Sequence, residues 1–230
     1  GIAPLLDGWQ MEGSVHNVAR RDGIGSLMLD AAFTIGHLPD HYFQGIGGGP
    51  GPIGIHEMAQ RSIDEGLFEG PVPRQHVSQN IEHCPIHNAW QGERDHLVED
   101  DFPPHDVEVY SDYLMNKGPA YGQVGGVHDI LKASRGQTYV VNRDEAIAAK
   151  QIFESIEGID IMTPGAVATA SLMQALEKGE VLPDDCIVLN ISGGGIERLK
   201  NEQDIDVLEP WLCVKKSNAV DAILEKLANE

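Results

Sequence analysis

The sequence predicts an α/β protein built on an open, mostly parallel sheet with flanking helices. Three observations lead there. Short β-prone runs alternate with longer stretches of helical periodicity. Two glycine clusters, at 47–51 and 193–195, each follow such a run. The last run, Cys186-Ile187-Val188-Leu189, is continuously apolar, as a strand covered on both faces of a parallel sheet would be. With 230 residues, 41% of them hydrophobic, the chain can bury a substantial core.

From 14 to 33, the spacing of Val15, Val18, Ile24, Leu27, Met28 and Ala31 is helical, with Gly23 and Gly25 as weak points and an end near Gly36-His37. Pro39-Asp40 leads into a β-prone run at 41–46 that stops at Gly47-Gly48-Gly49-Pro50-Gly51. Ile53, Ile55, Met58, Ala59 and Ile63 then carry a helical period to Glu65-Gly66. Residues 76–81 read as a second strand, followed by an irregular segment rich in His, Asn and Gly as far as Arg94. Residues 99–104 form an acidic, proline-broken surface loop.

Ala146, Ile147, Ala149, Ile152, Phe153 and Ile156 define an amphipathic helix capped by Asn142 or Asp144 and closed by Gly158. A strand is expected at 159–162, ending at Thr163-Pro164-Gly165, and a buried alanine-rich helix at 166–176. The final strand spans 184–192. The sequence shows no repeat of fixed period and no low-complexity segment.

Composition narrows the function. A formal net charge of −20 argues against nucleic acid and anionic membranes, both of which need a basic footprint, so any anionic ligand must be held by a local device. No apolar run is long enough to span a bilayer, and the start lacks a charged segment followed by an apolar one. Cys84, Cys186 and Cys213 are odd in number and widely spaced, which fits reduced thiols in the cytoplasm.

The glycines at 47–51, between a strand and a helix, let backbone N–H groups converge where the helix dipole favours negative charge, which makes a phosphate cradle. The alternative is a tight turn that needs small residues. No Gly-Lys-Ser/Thr follows, so the turn is not a Walker motif. The second cluster, Asn190-Ile191-Ser192-Gly193-Gly194-Gly195, follows the last strand, and in an open parallel sheet both clusters can line one crevice. Ser192 offers a hydroxyl suited to an unprotonated ring nitrogen, or else caps a turn.

Other constellations carry less. His83-Cys84-Pro85-Ile86-His87 repeats no standard zinc spacing, and Pro85 argues against a helical pair of histidines. Gln79-Asn80 and Asn88-Ala89-Trp90 are candidates for a substrate mouth or for a structural loop. Arg20 and Arg21 could clamp an anion, or pair on a helix surface with Glu12 or Asp22.

Glu12-Gly13, Ala19-Arg20-Arg21-Asp22-Gly23, Pro39-Asp40-His41-Tyr42-Phe43, the glycine turn and Ser192-Gly193-Gly194-Gly195 together resemble the fold-type II pyridoxal-phosphate (PLP) enzymes of the threonine-synthase family. Within it, the resemblance is nearest to an archaeal branch that replaces the phosphate of O-phospho-L-serine with sulfite, giving L-cysteate for coenzyme M synthesis. Threonine formation from O-phosphohomoserine is the alternative reaction, and a non-catalytic phosphate-ligand-binding domain the alternative class. The resemblance implies pyridoxal 5'-phosphate as cofactor. It implies that Gly47, Gly48, Gly49 and Gly51 hold its phosphate and that Ser192 bonds its ring nitrogen. Thr163-Pro164-Gly165-Ala166 stands where relatives carry a Glu-Pro-Ala-Ser-like segment, and Thr163 departs from the acidic residue.

The family's cofactor-binding lysine, in a Ser-x-Lys-Asp-like context, has no counterpart. Lys117, Lys132, Lys150, Lys178, Lys200, Lys215, Lys216 and Lys226 read as solvated charges. The expectation is therefore a large PLP-binding domain at 37–230, entered by a linking segment at 1–36. The lysine would lie in a preceding part, and this chain would be inactive alone. The resemblance further implies an anionic amino-acid substrate and a full-length homodimer.

Overall fold

The computed structural model describes residues 10, 12–103, 107–205, 208–214 and 219–228. Pro104, His105, Lys215 and Lys216 lie outside them. Four strands, β1 (His41–Gly45), β2 (Arg74–Asn80), β3 (Gln137–Val141) and β4 (Ile187–Leu189), form one sheet in the order β3-β2-β1-β4. Every pairing is parallel: His41 stands opposite Arg74 and Ile187, and His76 opposite Gln137.

Helix α1 (Val18–Ile35) starts where the Asn17 side chain accepts from the Arg20 amide and ends at Gly36 in the left-handed conformation. It crosses α2 (Pro50–Asp64) at a pair of glycines. A Cβ on Gly25 would lie 2.8 Å from Met58 Cβ, and one on Gly54 would lie 2.6 Å from the Arg21 carbonyl oxygen. Gly25, a weak point for helix propensity, is thus a contact point, and close packing offsets a propensity cost of about 1 kcal/mol. Met28 and Ala32 meet Tyr42, Ile55 and Ala59 beneath this crossing.

On the same face of the sheet, α2, α3 (Pro85–Gln91) and α4 (Val127–Ala133) bury Ile46, Ile53, Val77, Ile86 and Leu131. The opposite face is covered by α6 (Thr163–Glu177), buried over most of its surface, with α5 (Arg143–Glu157) packed outside it. Asn142 caps α5 reciprocally with Glu145, and Gly158 ends it at φ 69°. Two short helices follow, α7 (Ile196–Glu202) and α8 (Ala219–Ala228).

Four expectations are corrected. The segment before Arg94 is not wholly irregular: Pro85 opens α3 in the first turn, where its missing N–H costs nothing. In the same way, α6 begins at Thr163, with Pro164 inside its first turn, rather than after Gly165. The strand expected at 159–162 shrinks to one bridge, Ile161 to Gly194. The final strand pairs over Ile187–Leu189 alone and is half-buried, because β4 is the edge of the sheet and has one neighbour among the described residues. Helix α4 and strand β3 fall where the sequence pattern assigned no element.

Candidate functional site: a backbone cradle at the strand ends

Strand β1 holds its register up to the glycine turn, since the Ile46 amide still donates to the Ser78 carbonyl at 2.9 Å. Gly49 then takes φ 97° as the N-cap of α2, and Pro50 occupies the first helical position. Only glycine fits here: φ is left-handed, and a Cβ would lie 2.6 Å from Val127 Cγ2. Gly47 and Gly48 are enclosed differently, by the Leu114 carbonyl oxygen at 3.2 Å and the Asn116 side-chain amide at 2.9 Å from their would-be Cβ atoms. A Cβ on Gly51 would run into the Gln44 carboxamide.

The carbonyls of Gly48 and Gly49 are engaged by the amides of Ala120 (2.8 Å) and Ile53 (3.3 Å). The amides of Gly47, Gly48 and Gly49, by contrast, find no acceptor among the described residues. Unpaired donors at the start of a 15-residue helix are groups that could hold an anion.

Beyond β4, the Asn190 amide donates to the Phe43 carbonyl at 2.9 Å, and the chain turns at Gly193 with φ 116°. Two bonds pin this turn to the entrance of α6: Met162 N–H to Gly193 O at 3.0 Å and Gly195 N–H to Asp160 O at 2.7 Å. The Asp160 carboxylate in turn accepts from the amides of Glu197 and Arg198, which fixes the start of α7 and holds this carboxyl below the usual range. Ser192 sits exposed on the turn.

Gly47, Gly48, Gly49, Gly51 and Ser192 line a single open cavity of about 400 Å³. Its remaining walls include Gln44, Tyr113, Leu114, Met162 and Pro164. The two glycine clusters therefore share one crevice at the C-terminal strand ends. The N-termini of α2 and α6 both reach it, through Pro50 and through Met162 and Pro164. None of its lining residues is Lys, Arg, His, Asp or Glu, so charge is offered by backbone dipoles alone.

A strap formed by residues 111–116 crosses the turn. Asn80 grips its start twice, accepting from the Ser111 amide (3.0 Å) and donating to the Ser111 carbonyl (2.9 Å). Thr163 adds a hydroxyl bond to Ser111 Oγ at 2.9 Å. At its far end, His83 Nε2 lies 3.1 Å from the Asn116 carbonyl and 3.3 Å from the Asn116 amide. The strap leaves no mark in the sequence, because its residues carry no periodicity of their own.

The other flagged residues lie elsewhere. Arg20 pairs with Glu12 at 3.2 Å and Arg21 with Glu57 at 2.8 Å, while Asp22 pairs with Arg61. None of these lines the cavity. Gln79 accepts from the His87 amide, and Asn88 donates to the Asp101 carbonyl, so both hold loops together. His87 Nδ1 lies 2.8 Å from Thr138 Oγ1. Lys150 and Lys200 form helix-surface ion pairs, and Lys178 lies over the Tyr139 ring.

A second polar system runs through the sheet near the strand starts. His41 Nδ1 lies 2.9 Å from His76 Nε2, and His41 Nε2 lies 3.0 Å from Asp185 Oδ2. His76 Nδ1 reaches the Tyr139 hydroxyl at 2.7 Å, which donates to Glu180 at 2.7 Å. Burial, with His41 and Arg74 nearby, pushes the His76 imidazole down to about 3.

This open parallel sheet, with a glycine turn and unpaired amides at the head of α2, has the fold of fold-type II PLP-dependent enzymes. The similar solved structures show the fold alone. A pyridoxal 5'-phosphate-dependent aspartate racemase matches with a TM-score of 0.60 at 13% identity, over 81% of this chain and 52% of its own. A fungal L-serine ammonia-lyase from Rhizomucor miehei matches with a TM-score of 0.58 at 11% identity, over 79% and 55%. In sequence, the chain is similar to archaeal cysteate synthases. It is 45% identical to that of Methanosarcina barkeri (strain Fusaro) over 219 residues, 94% of this chain and 53% of the relative. It is 48% identical to that of Methanocella arvoryzae over 213 residues, 91% and 51%. The chain spans about half the length of the curated relatives it matches. No family model matches. Among the described residues, no helix is long and apolar enough to cross a membrane.

Proposed function

We propose that this chain forms the cofactor-phosphate side of a PLP-dependent enzyme that converts O-phospho-L-serine and sulfite into L-cysteate and phosphate, in the service of coenzyme M synthesis. The carrying observation is the set of unpaired amides at Gly47, Gly48 and Gly49, on the same cavity as Ser192. These residues fit the cofactor: the amides suit its dianionic phosphate, and the Ser192 hydroxyl suits its ring nitrogen. When bound, PLP would act as an electron sink for the charge left at the amino acid's α-carbon when its proton is removed, which lets that electron pair expel the phosphate from the neighbouring carbon. The chain's own part is to hold the phosphate with Gly47, Gly48, Gly49 and Gly51, to orient the ring through Ser192, and to keep water off with Leu114, Met162 and Pro164. The lining contains no amine, imidazole or carboxylate, so the anchoring lysine and any proton-transferring group come from outside this wall.

That same lack favours a second reading, a phosphate-ligand-binding domain without catalysis. The reading frame upstream of Gly1 separates the two: a lysine-bearing segment in a Ser-x-Lys-Asp-like context supports the enzyme, and a start codon directly before Gly1 sinks it. In the protein from the complete frame, phosphate release from O-phospho-L-serine and the mass of L-cysteate are measured with and without sulfite and PLP. Cysteate that requires both is the expected result. Turnover of O-phosphohomoserine instead would reassign the reaction to threonine formation.

A further inference from the structure

Tyr113 is the one large aromatic side chain lining the cavity, and 67% of it is exposed. Its ring and hydroxyl have no hydrogen bond or ring contact among the described residues. Exposure of this kind is ordinary on a loose loop. Here the backbone that carries it is held by hydrogen bonds at both ends. The short 3-10 turn Asp112–Leu114 is closed by hydrogen bonds from the Leu114 amide to the Ser111 carbonyl and from the Met115 amide to the Asp112 carbonyl, both 3.1 Å. Ser111 is buried and gripped by Asn80 and Thr163, Leu114 is buried against the glycine turn, and Asn116 is fixed by His83.

A rigid backbone that presents an unpartnered aromatic ring loses little entropy when that ring is covered, because a tyrosine has only two side-chain torsions to fix. An occupant of the cavity is placed to cover it, because Tyr113 is part of the cavity wall. The cradle fixes one end of that occupant as a phosphate, and the walls beside Tyr113 are apolar at Leu114, Met162 and Pro164. We propose that Tyr113 is a positioning residue that packs its ring against the flat heteroaromatic ring of a phosphate ester held by Gly47, Gly48 and Gly49. Tyr113 thereby selects ring-bearing phosphates over inorganic phosphate. The proposal rests on the PLP reading above and adds to it the residue that recognises the ring.

The test uses the protein from the complete reading frame, stripped of PLP, with pyridoxine 5'-phosphate, which lacks the aldehyde and so cannot condense with lysines, alongside inorganic phosphate and pyridoxine. Affinities are measured by calorimetry for the parent, Tyr113→Ala and Tyr113→Phe, and urea midpoints check that each variant is folded. Because the side chain is exposed, both variants should keep the parent's midpoint. Tyr113→Ala should bind pyridoxine 5'-phosphate about tenfold more weakly and inorganic phosphate unchanged, and Tyr113→Phe should match the parent for both ligands. Parent-like binding of pyridoxine 5'-phosphate by Tyr113→Ala overturns this proposal and leaves the cradle standing, as does an equal loss for both ligands. A parent chain that binds neither ligand overturns the cofactor reading together with the proposal.

Discussion

Acidifying the solution from pH 7.5 to pH 5 should cost the folded chain about 2 kcal/mol through His76 alone. The side chain is fully buried in β2, its ring centroid 4.1 Å from that of Phe43, with His41 and Tyr139 as hydrogen-bond partners. Burial first, then His41 and Arg74, lower its pKa from 6.5 to about 3. The folded pKa lies below the unfolded one, so between these values the unfolded chain binds the extra proton and stability falls as pH falls. The contribution is intact above pH 6.5 and, by pH 3, has fallen by about 4 kcal/mol. Urea unfolding followed by circular dichroism at pH 7.5 and pH 5, on the parent and on His76→Gln, isolates the residue. The variant should be less stable at pH 7.5 yet lose about 2 kcal/mol less than the parent between the two pH values. Equal losses in both proteins would refute the reasoning, because no depressed imidazole would then be involved.

Three further outcomes follow from the geometry. Gly49→Ala forces a left-handed φ on alanine and a contact with Val127, so it should cost about 2 kcal/mol in urea unfolding and abolish pyridoxine 5'-phosphate binding by calorimetry. Asn142→Ala removes the reciprocal cap of α5 and should cost about 1 kcal/mol by the same unfolding measurement, with phosphate binding untouched. Asp101 is buried, accepts from Arg94 Nη1 and Nη2 at 2.7 and 2.5 Å and from the Val98 amide, and these bonds hold its carboxyl below the ordinary range. Asp101→Asn should therefore cost about 3 kcal/mol at neutral pH, and the difference from the parent should shrink as acid titrates the parent's carboxylate.

What could be read from the sequence is what depends on near neighbours along the chain. Helical periodicity locates α1, α2 and α5, and the apolar, alanine-rich composition of its segment locates α6. The glycine turn between β1 and α2 was visible for the same reason: φ at Gly49 and the orphan amides of a helix start are local properties. Alternation of strand and helix then sufficed for a parallel α/β sheet.

Tertiary structure decided the rest. The apolar run around Ile187–Leu189 looks like a central strand, but neighbours set the strand order, and β4 lies at the edge. Strand β2, the polar run Arg74–Asn80, is instead buried in the middle, because His76, Gln79 and Asn80 find partners on Tyr139, His87 and Ser111. Gly25 counts as a defect in its own helix and becomes a contact once α2 crosses it. Tyr113 gave no signal at all, since its place on the cavity comes from bonds between Ser111, Asn80 and Thr163, residues far apart in the chain. Backbone preferences act over a few residues and survive in the sequence, whereas burial and hydrogen-bond partnership are set by which distant segments meet.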